Sequence, residues 1–338
     1  MSKIAVIGAG AWGTALAIAL GRKNTHDVRL WAYEKEVVES VRARHTNDLF
    51  LAGCSIPHTV SATNDLGEAI KGAQFVLSVM PSHHARRLYQ QMKPHLNSGM
   101  TFVSATKGIE NDTFLRMSEV IQQVLQAAPG GFRPRLAALS GPSFAKEVAK
   151  GDPTAITVAS ADSGLTETVQ REFSDPNFRV YSNDDPVGVE LGGALKNIIA
   201  IAAGVVDGLG LGYNTAAALI TRGIAEMTRL AVACGGNRET LAGLSGIGDL
   251  VLTCTGSLSR NRTVGQALGE GRKLPEILQS LGGKVAEGVL TSRAALELAR
   301  EHEIEMPITE QMELILEHDK DPREAIRELM LRPGKGEH

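Results

Sequence analysis

The chain has 338 residues, of which 43% are hydrophobic and 22% are charged, and its formal net charge is −3 at pH 7. This composition is that of a globular protein long enough for two domains with separate cores, and it argues against intrinsic disorder. Because the net charge is slightly negative, long-range electrostatic attraction to nucleic acid or anionic membranes is not expected. Any anionic ligand must therefore be bound by side chains and backbone groups of one particular site.

The cysteines and the apolar runs exclude several further classes. The chain has three widely spaced cysteines, Cys54, Cys234 and Cys254, and no two of them form a C-x-x-C motif. The sequence therefore predicts reduced thiols, no disulfide framework and no metal site. The N-terminus lacks the features of a signal peptide. The longest apolar run, residues 198–206, is shorter than the roughly 20 residues that span a bilayer. We therefore expect a cytoplasmic protein without membrane insertion.

Short apolar runs rich in β-branched residues alternate with helical stretches in the first half of the chain. Such runs are typical of a mostly parallel sheet covered on both faces, which is the doubly wound (Rossmann) type of α/β domain. The predicted strands cover residues 3–8, 28–33, 74–80, 101–106, 136–140, 154–160 and 178–182.

Helical periodicity replaces the strand pattern after Asp185-Pro186. A long apolar helix is expected first, followed by a second helix from about residue 215 to residue 234. We place a domain boundary near residue 186, which divides the chain into a dinucleotide-binding domain (1–185) and an all-helical domain (186–338).

Three glycines, Gly8, Gly10 and Gly13, follow the first predicted strand in G-x-G-x-x-G spacing. In dinucleotide-binding folds the first glycine allows a tight turn, the second lets the backbone approach the pyrophosphate, and the third permits close packing of the next helix. Because the motif lies between a strand and a helix, it predicts a site for NAD or NADP. Trp12 is either a cofactor contact or a core residue.

The end of the second strand carries residues that could distinguish the two dinucleotides. Glu34 lies 26 residues after Gly8, and an acid in this region favours a free ribose 2′-hydroxyl. Arg29 and Lys35 favour a 2′-phosphate instead, and Tyr33 is expected on the adenosine side. The sequence is therefore compatible with either NADH or NADPH.

Three other loops follow predicted strands, and ligands bind at the carboxyl ends of parallel strands. These loops are Met80-Pro81-Ser82, Thr106-Lys107-Gly108 and Ser140-Gly141-Pro142-Ser143-Phe144-Ala145. Lys107 is either a contact to an anion or carbonyl group, or a solvated surface lysine.

The segment VELGGALKNIIA, residues 189–200, places Lys196 in an apolar helix. Gly192, Gly193 and Ala200 share a helix face with Lys196. We interpret these small residues as space for a ligand beside the lysine. The alternative is a lysine whose stem is buried and whose ammonium reaches solvent.

A second polar cluster precedes another predicted helix. Either Ser259 or Asn261 caps that helix. The guanidinium N–H groups of Arg260 lie beside the helix N-terminus, where the helix dipole is positive, and this combination predicts a phosphate site. A solvated turn is the alternative. Asp249, upstream of this segment, is expected to pair with Lys196.

These features together indicate reduction of a phosphorylated ketone, with proton transfer by Lys196. A protonated lysine suits reduction, whereas alcohol oxidation requires its pKa to be lowered by burial or by a cation such as Lys107.

Taken in order, several segments resemble the bacterial NAD(P)-dependent sn-glycerol-3-phosphate dehydrogenase family over essentially the whole chain. They are GAGAWGTALA, SATKGIE, SGPSFAKEVA, GVELGGALKNIIA, GIGDLVLTCT, SRNRTVG, VAEG and MPITE. The resemblance implies interconversion of dihydroxyacetone phosphate and sn-glycerol 3-phosphate for phospholipid synthesis, with Lys196 as the proton acceptor.

The resemblance also implies the residues that contact each ligand. Substrate contacts would come from Lys107, Gly141, Ser143, Lys196, Asp249, Ser259, Arg260 and Asn261. Cofactor contacts would come from Trp12, Lys107, Ala145, Arg260, Val285 and Glu287. Many relatives carry Ser at the position of Ala11 and His or Arg at that of Tyr33, so the resemblance does not decide between NADPH and NADH.

Two other functions remain open at this point. A 3-hydroxyacid dehydrogenase would share the architecture and a catalytic lysine but would act on a carboxylate, and the segment 259–262 argues against it. A nucleotide-sensing protein would bind the dinucleotide without turnover and use Lys196 structurally. A homodimer formed through the helical half is a further hypothesis.

Overall fold

The computed structural model describes residues 1–281, 286–334 and 336. Within them, the first half of the chain builds a single eight-stranded sheet. Its strands are β1 (Ser2–Ile7), β2 (His26–Trp31), β3 (Val60–Thr63), β4 (Phe75–Ser78), β5 (Thr101–Ser104), β6 (Arg135–Ser140), β7 (Thr154–Ala159) and β8 (Phe178–Asn183). They lie in the order β3-β2-β1-β4-β5-β6-β7-β8.

Neighbouring strands are parallel throughout this sheet except for β6 and β7, which are antiparallel. The predicted mostly parallel, doubly wound sheet is confirmed. The strand β3 was not predicted, because its four residues VSAT offer too short an apolar pattern to separate from a loop.

Helices cover both faces of the sheet. They are α1 (Ala11–Arg22), α2 (Lys35–Arg44), α3 (Asp48–Leu51), α4 (Leu66–Ile70), α5 (Ala85–Met92), α6 (Met117–Gln126), α7 (Ala145–Lys150) and α8 (Ser163–Phe173). Alternate residues of β1 enter different cores, as the two-residue period of a strand requires. Ile4 and Val6 pack with α1, α2, α7 and α8, whereas Ala5 and Ile7 pack with α4, α5 and α6.

The second half of the described chain is helical, as predicted. Its helices are α9 (Pro186–Gly208), α10 (Tyr213–Ala233), α11 (Arg238–Leu241), α12 (Asp249–Thr255), α13 (Arg260–Gly269), α14 (Leu274–Ser280), α15 (Glu287–Glu301), α16 (Pro307–His318) and α17 (Pro322–Met330). A π-helical turn over Leu244–Gly248 leads into α12. The expected second helix is α10.

The long helix α9 forms the centre of the helical half. Asp185 caps it by accepting a hydrogen bond from the backbone N–H of Gly188 at 2.8 Å, and Pro186 occupies the first helical position. The other carboxylate oxygen of Asp185 accepts from the backbone N–H of Asn237, just before α11, at 2.8 Å. By length and composition α9 could cross a membrane, but 94% of its most apolar window is buried within the protein. Its hydrophobicity is therefore used in the core.

Glycines bring α9 and α13 unusually close. A Cβ added to Gly204 would lie 2.0 Å from a backbone oxygen of α13, and one added to Gly265 would lie 1.8 Å from a backbone oxygen of α9. Gly208 and Gly269 repeat this contact one turn further along. The two backbones therefore touch directly, and no larger residue fits between them.

Replacing one of these glycines should destabilise the fold. For Gly204→Ala we expect the free energy of unfolding to fall by about 1–3 kcal/mol, because the new methyl group overpacks the contact. Gly164→Ala is the matched control: Gly164 also lies in a helix, where the nearest atom to an added Cβ is 3.4 Å away. That variant should be neutral or more stable by roughly 0.5–1 kcal/mol. Equal stability of the two variants in urea denaturation would contradict the prediction.

Candidate active site

The glycine turn between β1 and α1 has three different local environments. Gly8 has φ +118°, and a Cβ there would lie 2.7 Å from the carbonyl oxygen of Val79. A Cβ on Gly13 would lie 1.8 Å from the carbonyl oxygen of Gly8. Gly10 differs, because an added Cβ would meet no atom within 4 Å. The first and third glycines thus serve the turn and its packing, while the second faces open space.

This open space fits the pyrophosphate of a dinucleotide. It lies at the N-terminus of α1, whose first backbone N–H groups are not used within the helix. The turn is held in place by Ala9, whose carbonyl oxygen accepts hydrogen bonds from Asn47 Nδ2 at 2.8 Å and Thr14 Oγ1 at 3.1 Å. A side chain at position 10 would occupy part of this open space.

Three further expected cofactor contacts lie at the starts of α1 and α7 and just after β2. Trp12 is half-buried, and its indole Nε1 is buried without a hydrogen-bond partner among the described residues. Tyr33 follows β2 and is 75% exposed. Ala145 is the first residue of α7 and packs against the core of the sheet domain. Val285 lies outside the described residues.

Arg29 does not reach the carboxyl end of β2. Its guanidinium donates hydrogen bonds to the carbonyl oxygens of Glu68 at 2.9 Å and Lys71 at 3.2 Å, near the end of α4. It also lies 3.7 Å from the carboxylate of Asp27. Arg29 therefore stabilises the end of α4 and is not directed toward the residues that follow β2.

Four polar side chains meet where the sheet contacts the helical half. Lys196 Nζ donates to Asp249 Oδ1 at 2.7 Å and to Thr253 Oγ1 at 2.8 Å, which confirms the expected pairing of Lys196 with Asp249. Lys107 Nζ donates to the other carboxylate oxygen, Oδ2, at 2.7 Å and to the carbonyl oxygen of Gly141 at 3.1 Å. Asp249 thus bridges two lysines, and we call these four side chains the lysine cluster.

The lysine cluster keeps donors available for a ligand. An ammonium group has three N–H donors, and the protein uses two on Lys196 and two on Lys107. Thr253 donates its own hydroxyl proton to the carbonyl oxygen of Asp249, so it accepts from Lys196. Among the residues that the structure describes, one donor remains on each lysine, and the charge of the cluster is +1 when both lysines are protonated.

Burial sets the pKa values in this cluster. Lys196 is 6% exposed, and burial lowers its pKa to about 8; Asp249 opposes this shift and Lys107 adds to it. Burial alone would raise the pKa of Asp249, but the two ammonium groups hold it below its usual value. Lys196 is therefore protonated in most molecules at neutral pH and loses its proton slightly above it.

The glycines beside Lys196 make room for the protein rather than for a ligand. A Cβ on Gly192 would lie 2.4 Å from the carbonyl oxygen of Ser245, and one on Gly193 would lie 2.5 Å from Ser140 Oγ. The interpretation of these glycines as ligand space is therefore wrong. They let β6 and the π-helical turn approach α9, which places Lys196 next to the end of the sheet.

The predicted phosphate segment begins α13. Ser259 is the cap, since its Oγ accepts a hydrogen bond from the backbone N–H of Arg262 at 3.2 Å. Arg262 forms an ion pair with Asp207 at 2.7 Å. Arg260, the first helical residue, is exposed and has no hydrogen bond or ion-pair contact within the described residues. Its guanidinium retains its N–H donors at the helix N-terminus, and the carboxylate of Glu287 is near enough to act on it electrostatically.

Two asparagines connect this helix start to the helix of Lys196. Asn261 Nδ2 donates to Asn197 Oδ1 at 2.9 Å, and Asn197 Nδ2 donates to the carbonyl oxygen of Gly193 at 3.3 Å. Asn261 Oδ1 in turn accepts from the backbone N–H of Gly288 at 3.0 Å. The chain of hydrogen bonds aligns α9, α13 and α15, and each amide nitrogen has one N–H without a partner among the described residues.

Glu287 joins the helical half to the loop after β4. Its carboxylate accepts hydrogen bonds from Ser82 N at 3.2 Å and Ser82 Oγ at 2.7 Å. Gly108 leaves space for this contact, because a Cβ there would lie 2.5 Å from Ser82 Cβ. Ser82 lies in a predicted strand-end loop, but no local pattern indicates its pairing with Glu287, because the two residues are 205 positions apart in the chain. Ser143 Oγ donates to the carbonyl oxygen of Gly141 at 2.9 Å.

Comparison with known proteins agrees with this arrangement along the whole chain. Residues 3–166 match the family described as NAD-dependent glycerol-3-phosphate dehydrogenase N-terminus, and residues 185–327 match its C-terminus. Glycerol-3-phosphate dehydrogenase [NAD(P)+] of Koribacter versatilis is 67% identical over 337 residues, which cover 100% of this chain and 99% of that protein. The protein of the same name from Acidobacterium capsulatum is 57% identical, with 100% of both chains covered.

A solved structure gives the same result. The crystal structure of glycerol-3-phosphate dehydrogenase from Coxiella burnetii is 44% identical, has a TM-score of 0.91, and covers 98% of this chain and 99% of its own. The chain belongs to the NAD-dependent glycerol-3-phosphate dehydrogenase family.

Proposed function

We propose that this protein catalyses the reversible, NAD(P)H-dependent reduction of dihydroxyacetone phosphate to sn-glycerol 3-phosphate, which supplies glycerophospholipid synthesis. The observation that carries the proposal is the buried lysine cluster with one free donor on each lysine. It is linked through Asn197 and Asn261 to the helix start at Arg260. A proton donor and an anion site for the same small molecule are thus adjacent.

Lys196 is the proposed acid and base. Bound reduced dinucleotide supplies the hydride for the carbonyl carbon. Asp249 and Thr253 hold Nζ of Lys196 in place, and its remaining N–H donates to the ketone oxygen. The net positive charge of the lysine cluster stabilises negative charge that develops on this oxygen. In the direction of oxidation, neutral Lys196 accepts the hydroxyl proton.

The phosphate group of the substrate is proposed to bind at the start of α13. Arg260 provides a fork of N–H donors, and the helix N-terminus adds backbone donors and a favourable dipole. Further proposed substrate contacts are Lys107, Gly141, Ser143, Asp249, Ser259 and Asn261. This phosphate site favours the proposed substrate over a 3-hydroxyacid, and the free lysine donors favour turnover over nucleotide sensing alone.

The dinucleotide is proposed to lie across the carboxyl end of the sheet. Its contacts would be Gly8, Gly10, Trp12, Gly13, Tyr33, Lys107, Ala145, Arg260, Val285 and Glu287. The division into a dinucleotide-binding domain (1–185) and a helical domain (186–338) is part of this proposal. It is supported by the end of β8 at Asn183 and the start of α9 at Pro186.

The proposal extends to the location and the assembly of the protein. We propose a cytoplasmic protein without membrane insertion, a view supported by the burial of α9. A homodimer through the helical half is supported by the exposed Leu211 and Tyr213, which are 36% and 95% exposed. Light scattering on the purified protein would measure the number of subunits.

A single assay tests the proposed reaction. Purified protein is mixed with NADPH or NADH and dihydroxyacetone phosphate, and the loss of absorbance of the reduced dinucleotide is followed. Unphosphorylated dihydroxyacetone and a 3-oxo acid serve as comparison substrates. If neither dinucleotide is consumed with dihydroxyacetone phosphate, the proposal is wrong.

Substitution of Lys196 should remove proton transfer while preserving the site. For Lys196→Met we expect kcat to fall by about 10²- to 10⁴-fold, the usual contribution of a general acid or base. Lys107 still neutralises Asp249 in this variant, so dinucleotide affinity should stay close to that of the wild type. Wild-type turnover by the folded variant would show that another group transfers the proton.

Arg260→Ala tests the phosphate site. Loss of one charge-assisted contact should raise the KM for dihydroxyacetone phosphate by about 10- to 150-fold, which corresponds to roughly 1.5–3 kcal/mol. At saturating dinucleotide, the KM for unphosphorylated dihydroxyacetone should change much less, because that substrate lacks the phosphate group. Arg272→Ala is the matched control, since Arg272 is exposed beyond the other end of α13. An unchanged KM in Arg260→Ala would place the phosphate elsewhere.

The pH dependence of kcat/KM should report the pKa of Lys196. Because this pKa is about 8, oxidation should accelerate as the pH rises through that value, and reduction should slow over the same range. Lys107→Gln removes a neighbouring positive charge, so it should move both midpoints to higher pH. Midpoints that stay unchanged in Lys107→Gln would contradict the assignment.

A further inference from the structure

A cavity of about 640 Å³ lies beyond the carboxyl ends of β2 and β3. Its walls come from the segments after these strands and from α5. The residues used in the following argument are Tyr33, Lys35, Asp65, Leu66, Arg87 and Leu88.

The position of this cavity matches the adenosine end of the proposed dinucleotide site, and the inference rests on that site. In folds of this type the pyrophosphate lies at the glycine turn and the adenosine extends over the end of the second strand. Here the turn is joined to that strand, because Gly8 N donates to the carbonyl oxygen of Trp31 at 3.1 Å. Leu66 and Leu88 supply apolar walls, and Tyr33 places an exposed aromatic ring beside them.

The charges in the cavity are unbalanced. The carboxylate of Asp65 caps α4 by accepting a hydrogen bond from the backbone N–H of Glu68 at 2.7 Å. Lys35 and Arg87 are both exposed and have no hydrogen bond or ion-pair contact in the part of the chain that the structure describes. Glu34 does not line the cavity. Lys35 and Arg87 therefore line a cavity whose one acidic lining residue among the described residues, Asp65, already accepts a backbone hydrogen bond.

We propose that Lys35 and Arg87 bind the 2′-phosphate of NADP, so that this chain prefers NADPH to NADH. The phosphate monoester carries close to two negative charges, which two cations match. Arg87 provides two parallel donors for its oxygens. Lys35 is also the first residue of α2, whose N-terminal N–H groups add to the attraction.

Equilibrium binding tests the proposal without relying on activity. Dissociation constants are measured by calorimetry for NADPH and NADH, and for 2′,5′-ADP and 5′-AMP, which differ only in the 2′-phosphate. We expect the wild type to bind NADPH at least about tenfold more tightly than NADH, and 2′,5′-ADP at least about tenfold more tightly than 5′-AMP. Lys35→Gln and Arg87→Gln should each weaken the phosphorylated ligands by about 5- to 30-fold, the usual loss for a partly exposed charge-assisted contact.

The controls separate a specific phosphate contact from general effects. NADH and 5′-AMP should change less than about twofold in both variants, because neither ligand carries the group in question. Lys71→Gln removes an exposed lysine at the far end of α4 that does not line the cavity, and it should leave all four affinities unchanged.

Three results would overturn the proposal. The first is equal wild-type affinity for 2′,5′-ADP and 5′-AMP. The second is an equal loss of NADPH and NADH binding in the variants. The third is a lower dissociation constant for NADH than for NADPH in the wild type, with this difference abolished in the Glu34→Gln variant. If neither dinucleotide binds to the wild type, the proposed function fails as well, whereas equal affinity for both leaves that function intact.

Discussion

The architecture of the site depends on one buried carboxylate. Asp249 belongs to α12, Lys196 to α9 and Lys107 to the loop after β5, so a single side chain joins two helices of the helical half to the sheet. A carboxylate buried in this position needs a cationic partner, because leaving it unpaired typically costs about 3–5 kcal/mol. The same arrangement gives Lys196 its chemistry. Burial and Lys107 lower its pKa while Asp249 keeps the ammonium form populated near neutrality.

Glycine contacts determine where the second part of the site lies. Direct backbone contact between α9 and α13 brings the start of α13 close enough for Asn261 to reach Asn197. Glycines 192 and 193 allow the corresponding approach of the sheet from the other side. The glycines of α9 therefore act by letting neighbouring elements come close. This packing explains how a helix with so many poor helix formers remains at the centre of the fold.

Local patterns in the sequence predicted much of this structure because they reflect local physics. The period of the strands, the G-x-G-x-x-G turn, the cap at Ser259 and the charge of Lys196 in an apolar helix can each be recognised within a short window. Features that depend on distant partners were missed or misread. The pairing of Ser82 with Glu287, the engagement of Arg29 with α4 and the packing against Gly193 all join segments far apart in the chain.

The sequence by itself determined the fold class, the dinucleotide turn and the presence of an isolated lysine, because backbone geometry and side-chain periodicity are local properties. Only the tertiary structure decided which groups surround that lysine, which arginine of the segment 259–262 forms an ion pair among the described residues, and which cations line the cavity beyond β2 and β3. A charge acquires its pKa and its available donors from neighbours that folding brings together. Arg260 and Arg262 look alike in the chain, and only the contact with Asp207 distinguishes them.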